Sequence, residues 1–409
     1  MRSNAQSLYA TFHCRNFTFL LIGPLLALAA VLVMGGPAAV RAASVEQAAA
    51  THIQLSTLTM IDRQHGWALD QNETHVLSTR QGPEHWSNVT PKGLYLPGND
   101  FNNFITASFF LDATHGYLGV LQNGLTYLLS TQDGGHTWQT TPFNIPVING
   151  PVTIHQIDFL DARHGWLSFA RDQRGPGEFD ILLMSTSNGG KTWQTLLDTS
   201  QNPSALPLPI GQTSHFTFVS PQKGWVTGIY PSPDVYLYTT QDGGKTWSKP
   251  NVPAITNAIS TESHGPFWRD SRSGTLFVLY LPNVSNAHDA LTTYHTNDGG
   301  QNWTMGPSSP DVSTSQFALF FLNAREGWSL GIDSRGKYVV HHTGNGGQTW
   351  QVFNPTGLLQ PPSEVVLDLK FLNATTGWTI IKDPTNSALH LFQTTNGGHT
   401  WRELHPIES

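Results

Sequence analysis

The sequence predicts an all-β protein, a seven-bladed β-propeller with four antiparallel strands in each blade. Three observations predict it: a turn motif that recurs seven times, a second motif that precedes it in each unit, and alternating apolar residues ahead of the second motif. Composition agrees, because only 12% of the residues are charged while the chain holds 38 glycines and 26 prolines. Short strands joined by tight turns have this composition.

The turn motif has the form Thr-x-Asp/Asn-Gly-Gly-x-Thr/Asn-Trp. Six good copies begin at Thr131, Thr186, Thr240, Thr296, Thr343 and Thr394, and a worn copy, "TRQGPEHW", begins at Thr79. The closing tryptophans are Trp86, Trp138, Trp193, Trp247, Trp303, Trp350 and Trp401. Units of about fifty residues therefore fill the chain from residue 52 to its end, which is typical of a repeat architecture.

The second motif is clearest as "FLDARHGW", Phe159 to Trp166, and survives in the fifth unit only as "WRDSRSGT", Trp268 to Thr275. Apolar residues alternate before it, so it ends one strand, and a second strand begins at its Gly-Trp. A third run enters the turn motif and a fourth leaves it, which gives four strands a unit. The predicted blades are residues 52–91, 102–143, 152–197, 213–251, 264–307, 315–354 and 365–406.

The turn motif has a structural explanation. Asp133, Asp242 and Asp298 can accept hydrogen bonds from backbone amides of the turn, and Asn188, Asn345 and Asn396 keep the acceptor oxygen without the charge. The paired glycines supply left-handed backbone conformations, and the tryptophan is expected to fill the gap between blades. Substitution in these turns is therefore predicted to unfold the protein rather than inactivate it.

The turn motif resembles the Asp-box, or BNR, repeat over nearly all of residues 52–409. With the second motif, the unit looks most like the secreted or lumenal propellers related to photosystem II stability and assembly factors. It is similar, more distantly, to sialidases, xyloglucanase-type glycosidases and sortilin-like receptors. The resemblance implies the propeller fold and an assembly or scaffolding role, although fold alone does not fix function.

The first 42 residues are predicted to be a secretory signal. An 18-residue apolar run, Phe17 to Met34, follows two arginines and precedes a small-residue stretch with a cleavage position after Ala42. The alternative is a membrane anchor through residues 17–34. Residues 43–51 would then be a linker, and the protein would be secreted or held in a bacterial envelope. Cys14 lies before the apolar run, so the mature chain has no disulfide.

Charge and histidine spacing exclude several classes of partner. Loss of residues 1–42 removes three of the 21 basic residues and none of the 28 acidic ones, leaving 18 against 28, a net charge of −10. Nucleic acid is therefore not an expected partner. The 18 histidines have no metal-motif spacing, so neither a metal site nor a cofactor is predicted. A monomer is expected.

The two faces of the predicted propeller differ. One holds the uniform turn motifs, and the other holds connections that vary in length and sequence, where function usually concentrates. We predict a binding surface on this variable face, for a protein or a cell-envelope component, a glycan included. Its predicted residues are Asp158, His215, Glu364 and Asp368 on the channel wall, with Arg171, Arg174, Tyr230 and Asp234 further out.

The leading functional prediction is thus a non-enzymatic binding scaffold, and the alternative is a glycoside hydrolase. Hydrolysis needs two carboxylates across a cleft, for which Asp158, Glu364 and Asp368 are the candidates. The Arg-Ile-Pro segment and arginine triad of sialidases are not visible in the sequence. All 13 tryptophans fall within the two motifs, which leaves none as a platform for a sugar.

The units run in phase, each from its innermost to its outermost strand. This arrangement predicts a ring without a shared strand between the first and last blades. The worn first turn motif makes blade 1 the predicted weak point.

Overall fold

The computed structural model describes residues 51–94, 96, 103–145, 152–175, 178–200, 215–283, 290–309, 318–333, 335–359, 365–383 and 385–408, with the backbone alone for 170–175, 178–180 and 309. These residues form strands, turns and bends. The predicted signal and most of the linker lie outside this part of the chain. Within it, no helix is long and apolar enough to cross a membrane.

The strands fall into seven sheets arranged as the blades of a propeller, and the strands within each blade are antiparallel, which confirms the predicted fold. Strands of the first three blades are β1 (Thr51–His52), β2 (Leu55–Met60), β3 (Gly66–Asp70), β4 (Val76–Thr79) and β5 (His85–Asn88) in blade 1; β6 (Asn103–Phe110), β7 (Gly116–Gln122), β8 (Leu125–Thr131) and β9 (Gln139–Phe143) in blade 2; and β10 (Thr153–Phe159), β11 (Gly165–Gly175), β12 (Glu178–Thr186) and β13 (Gln194–Asp198) in blade 3.

The remaining blades follow the same order from the innermost to the outermost strand. Their strands are β14 (His215–Phe218), β15 (Gly224–Thr227), β16 (Ile229–Tyr230) and β17 (Leu237–Thr240) for blade 4; β18 (Ala258–Trp268), β19 (Gly274–Pro282), β20 (Ala290–Thr296) and β21 (Thr304–Ser309) for blade 5; β22 (Ala318–Phe321), β23 (Gly327–Ile332), β24 (Tyr338–Thr343) and β25 (Gln351–Phe353) for blade 6; and β26 (Val365–Phe371), β27 (Gly377–Lys382), β28 (Leu389–Thr394), β29 (Arg402–Leu404) and β30 (Ile407–Glu408) for blade 7 and the chain end.

Blade 4 departs from this pattern at two places. Its fourth strand is reduced to one bridge, between Thr239 and Ser248. The short strand β16 leaves blade 4 and pairs with β18 of blade 5, Tyr230 opposite Thr261. The connection after β15 is therefore fixed beside the innermost strand of the next blade.

The turn motifs are held by the side chains that repeat. In blade 2, the Thr131 hydroxyl donates to Asp133 Oδ1 (2.8 Å) and accepts the Gly135 amide (3.0 Å). The carboxylate of Asp133 also accepts the amide and hydroxyl of Thr137, at 2.9 and 2.6 Å. Gly134 and Gly135 have φ of 75° and 89°, where a Cβ would be strained.

Rings of the Gly-Trp motif join consecutive blades. Five of these rings contact the aromatic residue of the next blade's motif, and Trp166 stacks on Phe218 with centroids 3.8 Å apart. The other close pairs are Trp67 with Phe110, Tyr117 with Phe159, Trp225 with Trp268, and Trp328 with Phe371. Buried aromatic stacking therefore carries much of the contact between blades.

The ring closes differently from the prediction. The last strand, β30, crosses to blade 1 and pairs in parallel with its outer strand β5, Ile407 opposite His85. The first strand, β1, then pairs with β30. The prediction considered only the order of strands within each unit. The chain continues beyond the outer strand of blade 7 and reaches the open edge of blade 1.

Candidate functional site

Three histidines and one glutamate lie together on the inner strands of blades 3, 4 and 5. These strands surround the central channel of the propeller, and their first residues lie nearest to the variable face. The residues are His155 on β10, His215 at the start of β14, and Glu262 and His264 on β18. We call these four residues the channel cluster.

His155 and His215 face each other across the boundary between blades 3 and 4. Their ring centroids are 6.4 Å apart. Burial lowers the pKa of His155 to about 4. Burial, assisted by His155 and His264 against the opposing effect of Glu262, lowers the pKa of His215 to about 4 as well. Both imidazoles are therefore neutral at neutral pH and can act as proton acceptors.

Glu262 and His264 form a hydrogen bond two residues apart on β18. Nε2 of His264 lies 3.2 Å from Oε1 of Glu262, and the two side chains are 16% and 39% exposed. Burial raises the pKa of Glu262, but the charge and hydrogen bond of His264 and the charge of His215 outweigh it and leave the pKa lowered. The carboxylate is thus ionised at neutral pH and reaches solvent.

Two local distortions place these side chains. The register of β10 against β11 shifts between Ile154 and Gln156, and that of β18 against β19 shifts between His264 and Phe267. Such bulges re-aim side chains and are frequent beside active sites. His155 lies within the first shift, and His264 lies at the start of the second.

The connection after β15 covers the same region. Because Ile229 is paired with Glu262, residues 229 to 235 lie over the edge of β18. The Thr261 hydroxyl donates to the Asp234 carbonyl at 2.7 Å. The Asp234 carboxylate itself is exposed and pairs with Lys249 at 3.2 Å. The structure therefore brings three predicted binding residues, His215, Tyr230 and Asp234, to one side of the ring.

Asp158, predicted on the channel wall, is buried between blades 3 and 4. Its Oδ2 accepts the Phe218 amide of β14 at 3.3 Å, and it is 6% exposed. Burial raises the pKa of Asp158 to about 7 although the Phe218 amide opposes the shift. Gln156 makes a similar bridge, with two hydrogen bonds to the backbone of Phe216.

Asp368, another of the predicted carboxylates, is on β26 of blade 7, where it accepts the Leu369 amide at 2.9 Å and lies 3.5 Å from Lys370 Nζ. It is 7% exposed. Glu364 lies outside the described residues. Asp158 and Asp368 thus lie on blades three and seven with different partners.

Arg171 and Arg174 are placed by backbone alone. Both lie on β11, which continues to Gly175, and Arg171 is opposite Asp180. The hairpin of β11 and β12 is longer than its counterparts in blades 1, 2, 4, 6 and 7. It extends blade 3 toward the variable face.

Sequence reasoning missed His155, Glu262 and His264. One signal was present, since units three and five each carry a histidine four residues before the aromatic residue of the second motif. A glutamate–histidine pair beside neutral histidines can transfer protons. Among the described residues, no group of three histidine, cysteine or acidic side chains could hold a metal ion.

Comparison with known proteins supports a BNR-like β-propeller. The chain is 22% identical over 250 residues to a sialidase of Paraclostridium sordellii, a match that covers 54% of this chain and 60% of that protein. The matched part is less than two thirds of the sialidase's length. No family model matches the chain.

Solved structures give likenesses at low identity. A GH74 xyloglucanase from Xanthomonas campestris is 15% identical with a TM-score of 0.34, covering 85% of this chain and 63% of that one. A PL25 ulvan lyase is 11% identical with a TM-score of 0.46, covering 73% of this chain and 81% of that one. The fold assignment rests on the sheet topology of the chain itself.

Proposed function

We propose that the protein hydrolyses a glycan at the channel cluster, with His264 as the acid–base group and Glu262 as the residue that orients it. One observation carries the proposal: an ionised, solvent-reaching carboxylate lies 3.2 Å from an imidazole on an inner strand. The glycan would enter from the variable face, past the connection that holds Tyr230 and Asp234.

The electrostatics of the cluster support proton transfer. Glu262 can orient His264 by accepting the hydrogen of Nε2, in which case Nδ1 keeps the lone pair that a general base needs. His155 and His215 are neutral at the pH where Glu262 is charged. The cluster thus places one negative charge beside the neutral rings of His155 and His215.

The proposed reaction uses Glu262 and His264 instead of the carboxylates predicted from the sequence. A hydrolase of the usual kind uses two carboxylates, and the described part of the cluster contains one. His264 would therefore take the proton of the attacking water as general base and return it to the departing glycosidic oxygen, while Glu262 orients the ring. Asp158 makes a buried contact between two blades, and Asp368 makes one within its own blade. Both carboxylates therefore support the fold.

The similarity to a sialidase supports a glycan as the substrate class. The relative is a sialidase, and the match covers more than half of this chain. The secreted location predicted from residues 1–42 belongs to the same proposal, because polysaccharides of an envelope lie outside the cytoplasm.

The test is release of reducing sugar from a panel of neutral, uronic-acid and sialylated glycans by the purified protein. Glu262→Gln and His264→Ala are each expected to reduce the rate by about 100-fold or more, as for loss of an acid–base group or of the residue that orients it. Glu403→Gln is the matched control, since Glu403 pairs with His390 at 2.7 Å on the outer part of blade 7. Equal rates in Glu262→Gln and the control would overturn the assignment.

A non-enzymatic binding scaffold is the second candidate. The burial of Asp158 and Asp368 favours it, because two of the three carboxylates nominated for hydrolysis are engaged within the fold. Absence of sugar release from every glycan, together with capture of an envelope fraction that depends on residues 229–235, would favour this candidate over catalysis.

A further inference from the structure

The junction between blades 5 and 6 lacks a ring that other junctions have. In blade 3, the indole of Trp166 extends to the next blade, where its Nε1 donates to the Gly243 carbonyl of the turn motif at 3.4 Å. In blade 1, Trp67 Nε1 likewise donates to the Asp112 carbonyl at 2.9 Å. The indole therefore fills the space under the next blade's turns.

Blade 5 has Thr275 at this position, within its degraded second motif. The Thr275 hydroxyl faces the corresponding glycine of blade 6, since a Cβ on Gly346 would lie 3.4 Å from it. The stack on blade 6 is made instead by Phe277, two residues further along β19, whose ring lies 3.6 Å from that of Phe321. The contact between the blades is thus kept while the place of the indole is left open.

A cavity of about 400 Å³ occupies this place. Its volume lies within the range of small-molecule sites. Its walls come from both blades and from both kinds of turn. The lining residues that bear on ligand chemistry are Arg269, Ser273, Thr275, His295, Arg325 and Gln348.

The charge of the walls is positive. Arg269 and Arg325 line the cavity, whereas no aspartate or glutamate is among the described residues that do. Arg269 has one weak acidic neighbour, Asp270, at 3.5 Å, and its side chain is 64% exposed. Guanidinium groups bind carboxylates through two parallel hydrogen bonds. The cavity therefore suits an anion.

The inner wall offers neutral polar groups. His295 lies between the hydroxyls of Thr275 and Thr293, 3.3 Å from each, and burial lowers its pKa. Ser273 and Gln348 add a hydroxyl and an amide at the wall. Groups of this kind recognise the hydroxyls of a ligand.

We propose that this cavity between blades 5 and 6 is a binding site for a small hydroxylated carboxylate, of the size of one sugar acid. The carboxylate lies between Arg269 and Arg325, and the hydroxyls reach the wall formed by Ser273, Thr275 and His295. The site is on the face of the uniform turns, opposite the variable loops. It is independent of the glycan cleavage proposed for the channel.

The test is a ligand-observed NMR titration of the full chain with glucuronate. Glucose, which lacks the carboxylate, and acetate, which lacks the sugar ring, are the comparison probes. Glucuronate is expected to bind with a dissociation constant of about 1 mM, a value typical of weak single-site binding, and the other two at least about tenfold more weakly. Binding of all three to the same extent would overturn the assignment.

Arg325→Ala is expected to weaken glucuronate binding about tenfold, as for loss of a charged hydrogen bond. Arg163→Ala is its matched control, since Arg163 holds the same position in the second motif of blade 3. There the neighbouring gap is filled by Tyr117, stacked on Phe159 at 3.7 Å. Equal affinity in the two variants would contradict the proposal.

Thr275→Trp tests the cavity without removing either arginine. Restoring the usual tryptophan is expected to abolish glucuronate binding while thermal unfolding shows a folded protein. A folded Thr275→Trp variant with unchanged affinity would overturn the site. If this variant does not fold, the double change Arg269→Ala with Arg325→Ala takes its place and must remove binding. Glu262→Gln must leave glucuronate binding unchanged, which separates this site from the channel cluster.

Discussion

The indole of Trp166 in blade 3 lies flat on the ring of Phe218 in blade 4, with centroids 3.8 Å apart and ring planes 2° from parallel. The two side chains are 3% and 5% exposed. Trp247, from the turn motif of blade 4, meets Phe218 edge-on at 6.2 Å. The two sequence motifs are therefore joined in a single aromatic contact between blades.

Trp166→Ala is expected to lower the free energy of unfolding by about 3–5 kcal/mol, since it removes a large buried ring and leaves a cavity. A double-mutant cycle with Phe218→Ala should give a coupling of about 1 kcal/mol. Guanidinium chloride unfolding measures both. Phe104→Ala, at a ring that is 36% exposed, is the control, and a loss at Trp166 no greater than at Phe104 would contradict the interpretation.

The acidic turn motifs make stability depend on pH in the acid range. Hydrogen bonds to Thr246 and Thr240 outweigh burial and lower the pKa of Asp242 from its ordinary 3.8 to about 2. A carboxylate with a lowered pKa stabilises the fold above its ordinary pKa, and this stabilisation is lost as the pH falls from about 4 to 2. The asparagine motifs have no charge to lose.

Asp242→Asn is therefore expected to flatten the decline in unfolding midpoint between pH 4 and 2 while changing stability little at pH 7. Asparagine fits the turn, because Asn188 contacts the same position of its own turn, where its Nδ2 donates to the Thr192 hydroxyl at 2.8 Å and its Oδ1 accepts the Thr192 amide at 3.0 Å. Asn188→Asp is the reciprocal control and should steepen the decline. Identical pH profiles for wild type and Asp242→Asn would refute the explanation.

Much of the fold was predictable because the turns are held by hydrogen bonds of their own side chains. The Thr131, Asp133 and paired-glycine pattern forms the same turn wherever it occurs, so repetition in sequence became repetition in structure. The channel cluster was not predictable in this way. His215 and Glu262 belong to different blades, and their proximity depends on strand bulges and on the short strand β16. The alternation of apolar residues along a strand predicts neither feature.

Asp158 makes stability depend on pH in the opposite direction. Its pKa is raised by burial to about 7, so the folded state binds a proton more tightly than the unfolded chain. Stability from this group is present below about pH 4 and is lost as the pH rises from about 4 to 7. The charge that then forms is buried between two blades.

Asp158→Asn should remove this loss, because the amide oxygen can still accept the Phe218 amide and carries no charge. The variant is expected to be more stable than wild type at pH 8 and nearly equal to it at pH 4.5. Urea unfolding at the two pH values measures the difference. A variant less stable than wild type at pH 8 would show that the carboxylate is ionised and needed there.

The contact of β30 with blade 1 predicts that the chain end stabilises the ring. Besides its pairing with β5, the Ile407 amide donates to the Glu84 carbonyl at 3.0 Å, and the Ile53 amide donates to the Pro406 carbonyl at 3.0 Å.

Truncation after His405 removes these bonds and leaves the outer edge of β5 unpaired. Hydrogen exchange should then accelerate in β1 and β5 of blade 1 while blades 3 to 5 keep their protection, because blade 1 is the one that β30 contacts. Removal of Ser409 alone is the control. Unchanged exchange in blade 1 after the truncation would mean that packing between blades 1 and 7, where Trp378 and Leu404 lie in one cluster with Leu58, closes the ring without the last strand.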